Sequence, residues 1–402
     1  MNEKLKREII TNLIVFVVFA FISFYVNSVF EIVLMNNFWL AGIVGIAAVM
    51  LRVLGRDKRK YRKGVEHGSA RFGTKEDIKP YMDKDFRQNI ILTATEGLTM
   101  NPRPVNPKYG RAKNTLIFGG SGSGKTRFYV IPNILQMHSS YVITDPKGEI
   151  FHSLGKLLKQ YGGYDVRVLN LKNFGASMGY NPFDYIKTEN DVRKVVDVLV
   201  GSTSKKKEGG SDGDFWVDGE KLLYTAVIGY IKFFVKDKSL HNFNTMIDMI
   251  TSMEVRENDP DFKNDVDKDF EAMANVYPNH SAVLAYKSFK QGAGKTLKSF
   301  LISCGVRLAP FYPMDVRKTL IHDQMKLETI GDRKTALFII TDATSKTYHF
   351  IAAMLYSQMF SALKDRAETK YLNQGQRLPV HVRCILDEFA NSTTRCNVKS
   401  VA

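Results

Sequence analysis

Hydrophobic positions along the chain follow three different patterns. Residues 9–30 and 38–54 are almost unbroken apolar runs, with Asn12, Ser23 and Asn27 the notable polar interruptions of the first. Short apolar runs of strand length recur at 115–118, 141–144, 166–171, 335–341 and 379–386. Helical periodicity follows several of them, at 125–137, 151–161 and 350–363. Between 191 and about 327 the strand pattern gives way to helical spacing alone, clearest in Trp216, Leu222, Leu223, Ala226, Val227, Tyr230, Ile231 and Phe234. These patterns predict an α/β protein with a mostly parallel sheet, an all-α insert within it and an N-terminal pair of membrane helices. The expected divisions are a membrane anchor over 1–63, the first part of the α/β domain over 64–190, the insert over 191–330 and the second part over 331–402.

Residues 9–30 are long enough to span a bilayer, and 38–54 lie at the lower limit, with Trp39 at an interface position. Lys4, Lys6 and Arg7 precede the first run; Arg56, Lys58, Arg59, Lys60, Arg62 and Lys63 follow the second, and Glu31 is the one charge between them. The positive-inside rule predicts a two-span hairpin in the cell membrane with both ends cytoplasmic. A cleaved leader fits less well, since a second apolar run follows at once and no small-residue cleavage site stands out.

The strand-like run at 115–118 leads into Gly119-Gly120-Ser121-Gly122-Ser123-Gly124-Lys125-Thr126, which fits the phosphate-binding P-loop G-x-x-x-x-G-K-[ST]. Glycines let backbone N–H groups converge on phosphate oxygens. Lys125 would reach the outer phosphates, and the Thr126 hydroxyl would be a Mg²⁺ ligand. Pro132 predicts a kink or early stop in the helix that follows.

Two strand ends carry acids. The apolar run at 379–386 ends in Asp387-Glu388, where an acidic pair completes a P-loop site: Asp387 holds Mg²⁺ through water and Glu388 polarises the attacking water. The run at 141–144 ends in Asp145-Pro-Lys147-Gly-Glu149, either a ligand-facing turn or an ordinary βα turn. Gly292-Ala-Gly-Lys-Thr296 ends like a P-loop, but Phe289 holds the required glycine position and no strand precedes it, so it is read as a helix end or an intersubunit contact.

Charge and cysteines change the picture little. The formal net charge of +16 favours an anionic partner, nucleic acid or membrane, without choosing between them. Lys205, Lys206 and Lys207 lie in a glycine- and serine-rich loop, either solvated or against a phosphate backbone. Three cysteines with no C-x-x-C pair suit a reducing cytosolic body, and the eight histidines form no metal-binding spacing.

The ordered set of motifs resembles the type IV coupling proteins of conjugation, the TraG/TraD-like family. It comprises the N-terminal hairpin, HGSARFGT at 67–74, GGSGSGKT followed by VIPN, ITDPKGE, YNPF, FWVDGEKLL, TLKSFLISCGVRLAPF, ALFIITDATS and PVHVRCILDEFAN. The resemblance implies a hexameric, membrane-anchored ATPase with a RecA-like P-loop domain, using ATP and Mg²⁺. It also implies transfer of a relaxase–DNA complex to a type IV secretion channel, with sequence-independent DNA binding. Gly119, Gly124, Lys125 and Thr126 would hold the nucleotide and metal, Asp387 and Glu388 would be the acidic pair, and Asp145, Lys147 and Glu149 match a motif beside the site. The polar stretch at 391–402 is unlike the family continuation, which predicts a shortened chain lacking a later glutamine motif and arginines. A non-hydrolysing nucleotide-binding remnant and a septal-type chromosome translocase are the alternative expectations.

Overall fold

The computed structural model describes residues 3–29, 37–55, 71–203, 212–256, 259, 262–342 and 344–388. The basic residues at 56–63, the HGSA half of the 67–74 motif, the 205–207 lysines and the stretch from Phe389 to Ala402 lie outside them. Contacts divide the chain into two units, Met1–Thr74 and Lys75–Ala402.

In the first unit, α1 (Glu3–Val29) and α2 (Asn37–Gly55) run antiparallel. The Arg52 guanidinium near the end of α2 donates to the carbonyl of Thr11 near the start of α1, at 3.0 Å. Within α1, residues Ile9–Val26 are long and apolar enough to cross a bilayer; the apolar part of α2, Trp39–Gly55, is shorter.

The second unit opens with α3 (Lys75–Ile78) and a two-stranded antiparallel ribbon, β1 (Asn89–Ile91) and β2 (Gly97–Thr99). The three prolines at 102, 104 and 107 follow the ribbon in a stretch without strand pairing, where a missing N–H costs no ladder bond. After the P-loop comes one π-helical turn, Thr126–Val130, which passes into α4 (Ile131–Leu135). Pro132 explains the widened turn. Its ring crowds the carbonyl of Phe128, four residues back, and the turn before it is widened, with Ile131 N–H donating to Thr126 O. The helix is therefore not stopped at the proline but runs on to Leu135.

The central sheet is formed by β3 (Ser140–Thr144), β4 (Asp165–Asn170), β5 (Thr335–Ile340) and β6 (Val382–Leu386), all parallel, in the order β4-β5-β3-β6. Helix α5 (Glu149–Gln160) links β3 to β4. Between β4 and β5 stand α6 (Glu189–Thr203), α7 (Asp212–Phe233), α8 (Phe243–Ser252), α9 (Asp265–Val276), α10 (Ser281–Lys290), α11 (Gly294–Leu308) and α12 (Met314–Thr319), and α13 (His349–Thr369) links β5 to β6. Gly294–Thr296 open α11, with Ala293 as its N-cap and Gly292 in the bend before it, which agrees with the helix-end reading of the segment.

Although the inner strands are apolar throughout, alternation still sorts their side chains between two cores. Tyr141, Ile143, Val168, Ala336, Phe338, Ile340 and Ile385 pack with Val130 and Ile134 of the P-loop helix and with Ile150, Leu154 and Leu158 of α5. Val142, Leu169, Leu337 and Ile339 face the other way, into a core continuous with α13, α6 and the rest of the insert. Arg167, 2% exposed on β4, secures the return from the insert to the sheet. Its guanidinium donates to Asp165, to Thr329 Oγ1 at 2.8 Å, and to the carbonyls of Met325 and Lys326.

One expectation fails. Residues 115–118 form no strand: Leu116 and Phe118 are exposed, and β6 is paired with β3 alone among the described residues. The apolar run satisfies strand propensity, but a strand also needs a neighbour for its N–H and C=O groups, and none of the described residues supplies one.

Candidate nucleotide site

The P-loop residues lie beside the carboxyl end of β6, the edge of the open α/β sheet where ligands are usually bound. Gly122 and Gly124 hold left-handed backbone, φ +75° and +78°. A Cβ on Gly124 would also meet the Phe128 ring at 2.4 Å, so this position combines strain with a close approach. Around Gly120 and Gly122 a Cβ would meet nothing within 4 Å, which leaves the backbone open to an approaching group. The loop is closed by its own bonds: Ser123 Oγ donates to Gly120 O at 2.9 Å, and Lys125 Nζ donates to the carbonyls of Gly119 and Gly120, both at 2.8 Å. Lys125 thus stands over the cradle rather than out in solvent.

The contact that joins the two predicted halves is made by Thr126. Its Oγ1 donates to Asp387 Oδ2 at 2.7 Å, across 261 positions of sequence. Asp387 Oδ1 accepts from the N–H of Glu388, at 3.0 Å. Glu388 itself adopts φ +51°, left-handed backbone that a β-strand does not continue through, so the chain turns sharply after Asp387. A hydroxyl and a carboxylate side by side form a hard oxygen donor set, the type that suits Mg²⁺. Among the described residues, no group of three or more His, Cys, Asp or Glu forms a separate metal centre.

The Asp145 turn resolves in favour of structure for one of its three residues. Asp145 is 2% exposed; its carboxylate accepts from Gly148 N–H at 2.9 Å and Phe151 N–H at 2.8 Å, capping α5 through a left-handed Gly148. Burial raises its pKa, opposed by the backbone N–H bonds and reinforced by the neighbouring Asp387 charge. Lys147 and Glu149 are exposed at the start of α5.

Sequence reasoning missed two residues behind the site. Asn133, fully buried on α4, and Arg383, on β6, bond to one another at 3.1 Å. Both lie in segments that were singled out as motifs, VIPN and PVHVRC. A polar residue on an apolar helix face and an arginine within an apolar strand were the available signals.

The sequence model of the type IV secretory system conjugative DNA transfer family matches residues 82–392, from before the ribbon to beyond the acidic pair. The chain belongs to this family. Three solved structures resemble the chain at low identity. Plasmid coupling protein TrwB in complex with the ATP analogue ADPNP is 14% identical, with TM-score 0.40, over 67% of this chain and 55% of that one. TrwB in complex with ADP and Mg²⁺ is 14% identical, with TM-score 0.39, over 67% and 63%. The unbound monoclinic form of the bacterial conjugative coupling protein TrwB lacking its N-terminal segment is 12% identical, with TM-score 0.47, over 82% and 75%. The chain therefore spans little more than half the length of the first of them. No curated protein matches it.

Proposed function

We propose that the chain is a membrane-anchored, nucleotide-dependent coupling protein that binds ATP with Mg²⁺ and delivers a relaxase–DNA complex to a type IV secretion channel. The observation that carries the nucleotide reading is the Thr126–Asp387 bond, which joins the P-loop and the acidic strand end in one site. Gly119, Gly120, Ser121, Gly122, Ser123 and Gly124 offer N–H groups to the phosphates, and Lys125 exchanges its two loop carbonyls for phosphate oxygens. Thr126 and Asp387 hold the metal, which when bound offsets the charge that develops on the transferred phosphoryl group. Glu388, at the sharp turn after Asp387, orients and polarises the attacking water.

The anchor is the α1–α2 hairpin, with both ends in the cytoplasm. Its support is the apolar length of α1, the antiparallel packing of α2 upon it and the basic residues that flank the pair in sequence. Assembly as a homo-hexamer and a sequence-independent grip on DNA phosphates complete the reading, the latter favoured by the net charge of +16.

Titration of the full chain with a fluorescent ATP analogue tests the site. Lys125→Ala is expected to weaken binding by about a hundredfold or more, the loss of a charge-assisted contact in a phosphate cradle. Equal affinity of wild type and variant would refute the assignment.

A further inference from the structure

Strand β6 places Arg383 and Ile385 on one face, at alternate positions, and Asp387 follows in the same alternation just past its end. All three meet the P-loop helix. Asp387 takes the Thr126 hydroxyl at one end, Ile385 lies in the same core as Val130 and Ile134, and Arg383 reaches Asn133 at the other end. From Thr126 to Asn133 is seven helical positions, about 10 Å, and from Asp387 back to Arg383 is four strand positions, about 13 Å. The polar contacts therefore sit at opposite ends of a helix lying across one strand.

The far contact is built as an anchor. Asn133 is fully buried and Arg383 is 8% exposed. Asn133 Oδ1 accepts both Arg383 terminal N–H groups at 3.1 Å and the Ile91 N–H at 3.0 Å. Its Nδ2 donates to Ile91 O at 2.9 Å and to Tyr129 O at 2.8 Å. The side-chain amide thus pairs with Ile91 as a neighbouring strand residue would, and ties β1, the P-loop helix and β6 together. One contact at Thr126 would leave the helix free to pivot on the strand. A second, about a helix length away, fixes its tilt and height.

We propose that Asn133 and Arg383 are positioning residues for the metal: they hold the P-loop helix at the height on β6 that brings Thr126 Oγ1 to Asp387 Oδ2, and so set the Mg²⁺ affinity of the nucleotide site. This rests on the reading of Thr126 and Asp387 as the metal-holding pair. The substitution that tests it is Arg383→Met, which keeps length and removes the donors. Two quantities are measured on the full chain: affinity for a fluorescent ADP analogue in EDTA, and the Mg²⁺ concentration that half-saturates the ADP-bound protein.

The first should stay within about twofold, because no residue of the phosphate cradle is altered. The second should rise about tenfold, the usual scale for loss of a partner that orients a metal ligand. Leu158→Ala, in the same core but on α5, serves as the control for general destabilisation. It should lower the melting temperature without moving the Mg²⁺ requirement. Arg383→Lys, which retains charge and a donor, should fall between wild type and Arg383→Met, and it carries the test if the methionine variant does not fold.

An Mg²⁺ requirement that moves no more in the Arg383 variants than in Leu158→Ala overturns the proposal. ADP binding indifferent to Lys125→Ala would overturn the site reading and this inference with it. Binding that depends on Lys125, with an unmoved Mg²⁺ requirement, overturns this inference alone.

Discussion

Substitution of Gly124 by alanine separates two costs that coincide at one position. The first is backbone strain: φ is +78°, and an L-residue in left-handed backbone costs about 1–2 kcal/mol. The second is the clash of the new Cβ with the Phe128 ring, whose nearest atoms lie at 2.4 and 2.5 Å. Phe128 is 68% exposed and its ring lies under the Arg127 guanidinium at 5.7 Å, so it can swing outward with little burial to lose. Moving it forfeits at most a surface cation–π contact of about 0.5–1 kcal/mol. Strain therefore outweighs the clash, and together they disfavour the loop's geometry by about 1.5–3 kcal/mol, a loss of about 10- to 140-fold in nucleotide affinity. A fluorescent ATP analogue reads this directly. The double variant Gly124→Ala/Phe128→Ala should recover less than about fivefold, since removing the ring relieves only the smaller cost. Affinity of Gly124→Ala within twofold of wild type, or complete recovery in the double variant, would refute the reasoning.

Three more outcomes are expected. Glu220, 1% exposed on α7, accepts from Ser303 and Arg307 on α11, and Arg307 also donates to Thr203 Oγ1 at 2.6 Å. Glu220→Ala should cost about 1–3 kcal/mol in urea unfolding by removing the buried carboxylate that accepts from both Ser303 and Arg307, and an unchanged stability would contradict that. Burial pushes the Asp332 carboxyl up, but hydrogen bonds from Arg366, Lys370 and Tyr371 outweigh it and hold the pKa at about 2. Its stabilisation is then complete above the ordinary carboxylate pKa and lost as pH falls from about 4 towards 2, so the stability gap between wild type and Asp332→Asn should close over that range; a gap independent of pH would exclude the cause. DNA binding, followed by anisotropy, should weaken linearly on a log–log plot against salt, with little difference between sequences, whereas a flat response would assign the positive charge to another partner.

The parts of the fold that were legible in the sequence are those set by local rules. The runs at 140–144 and 335–340 are buried on both faces because helices cover both faces of the sheet, and a near-continuous apolar run is the signal of that environment. That the P-loop motif and Asp387 would be brought together was legible because both are recognisable by residue type and spacing. Residues 115–118 misled because strand propensity is local whereas strand pairing is not. The π-helical turn at Thr126–Val130 was foreshadowed by Pro132, although a proline alone does not distinguish a bend from a stop. Asn133, Arg383 and Arg167 were hidden for a related reason. A polar residue in an apolar segment reads as an exception until the partner that satisfies it, remote in sequence, is known.

The unequal division of apolar side chains between the two faces of the sheet bears on how the molecule could do work. On the insert side one core runs without interruption from the strands through α13 and α6 into α7, α10 and α11, so the insert and the sheet should melt in one cooperative step. A hinge between them would tear that core, and only small sliding movements are compatible with it. The face that carries the P-loop helix has a much smaller core, closed by α4 and α5. A small displacement of the P-loop helix would therefore disturb less packed apolar surface than a displacement of the insert against the sheet.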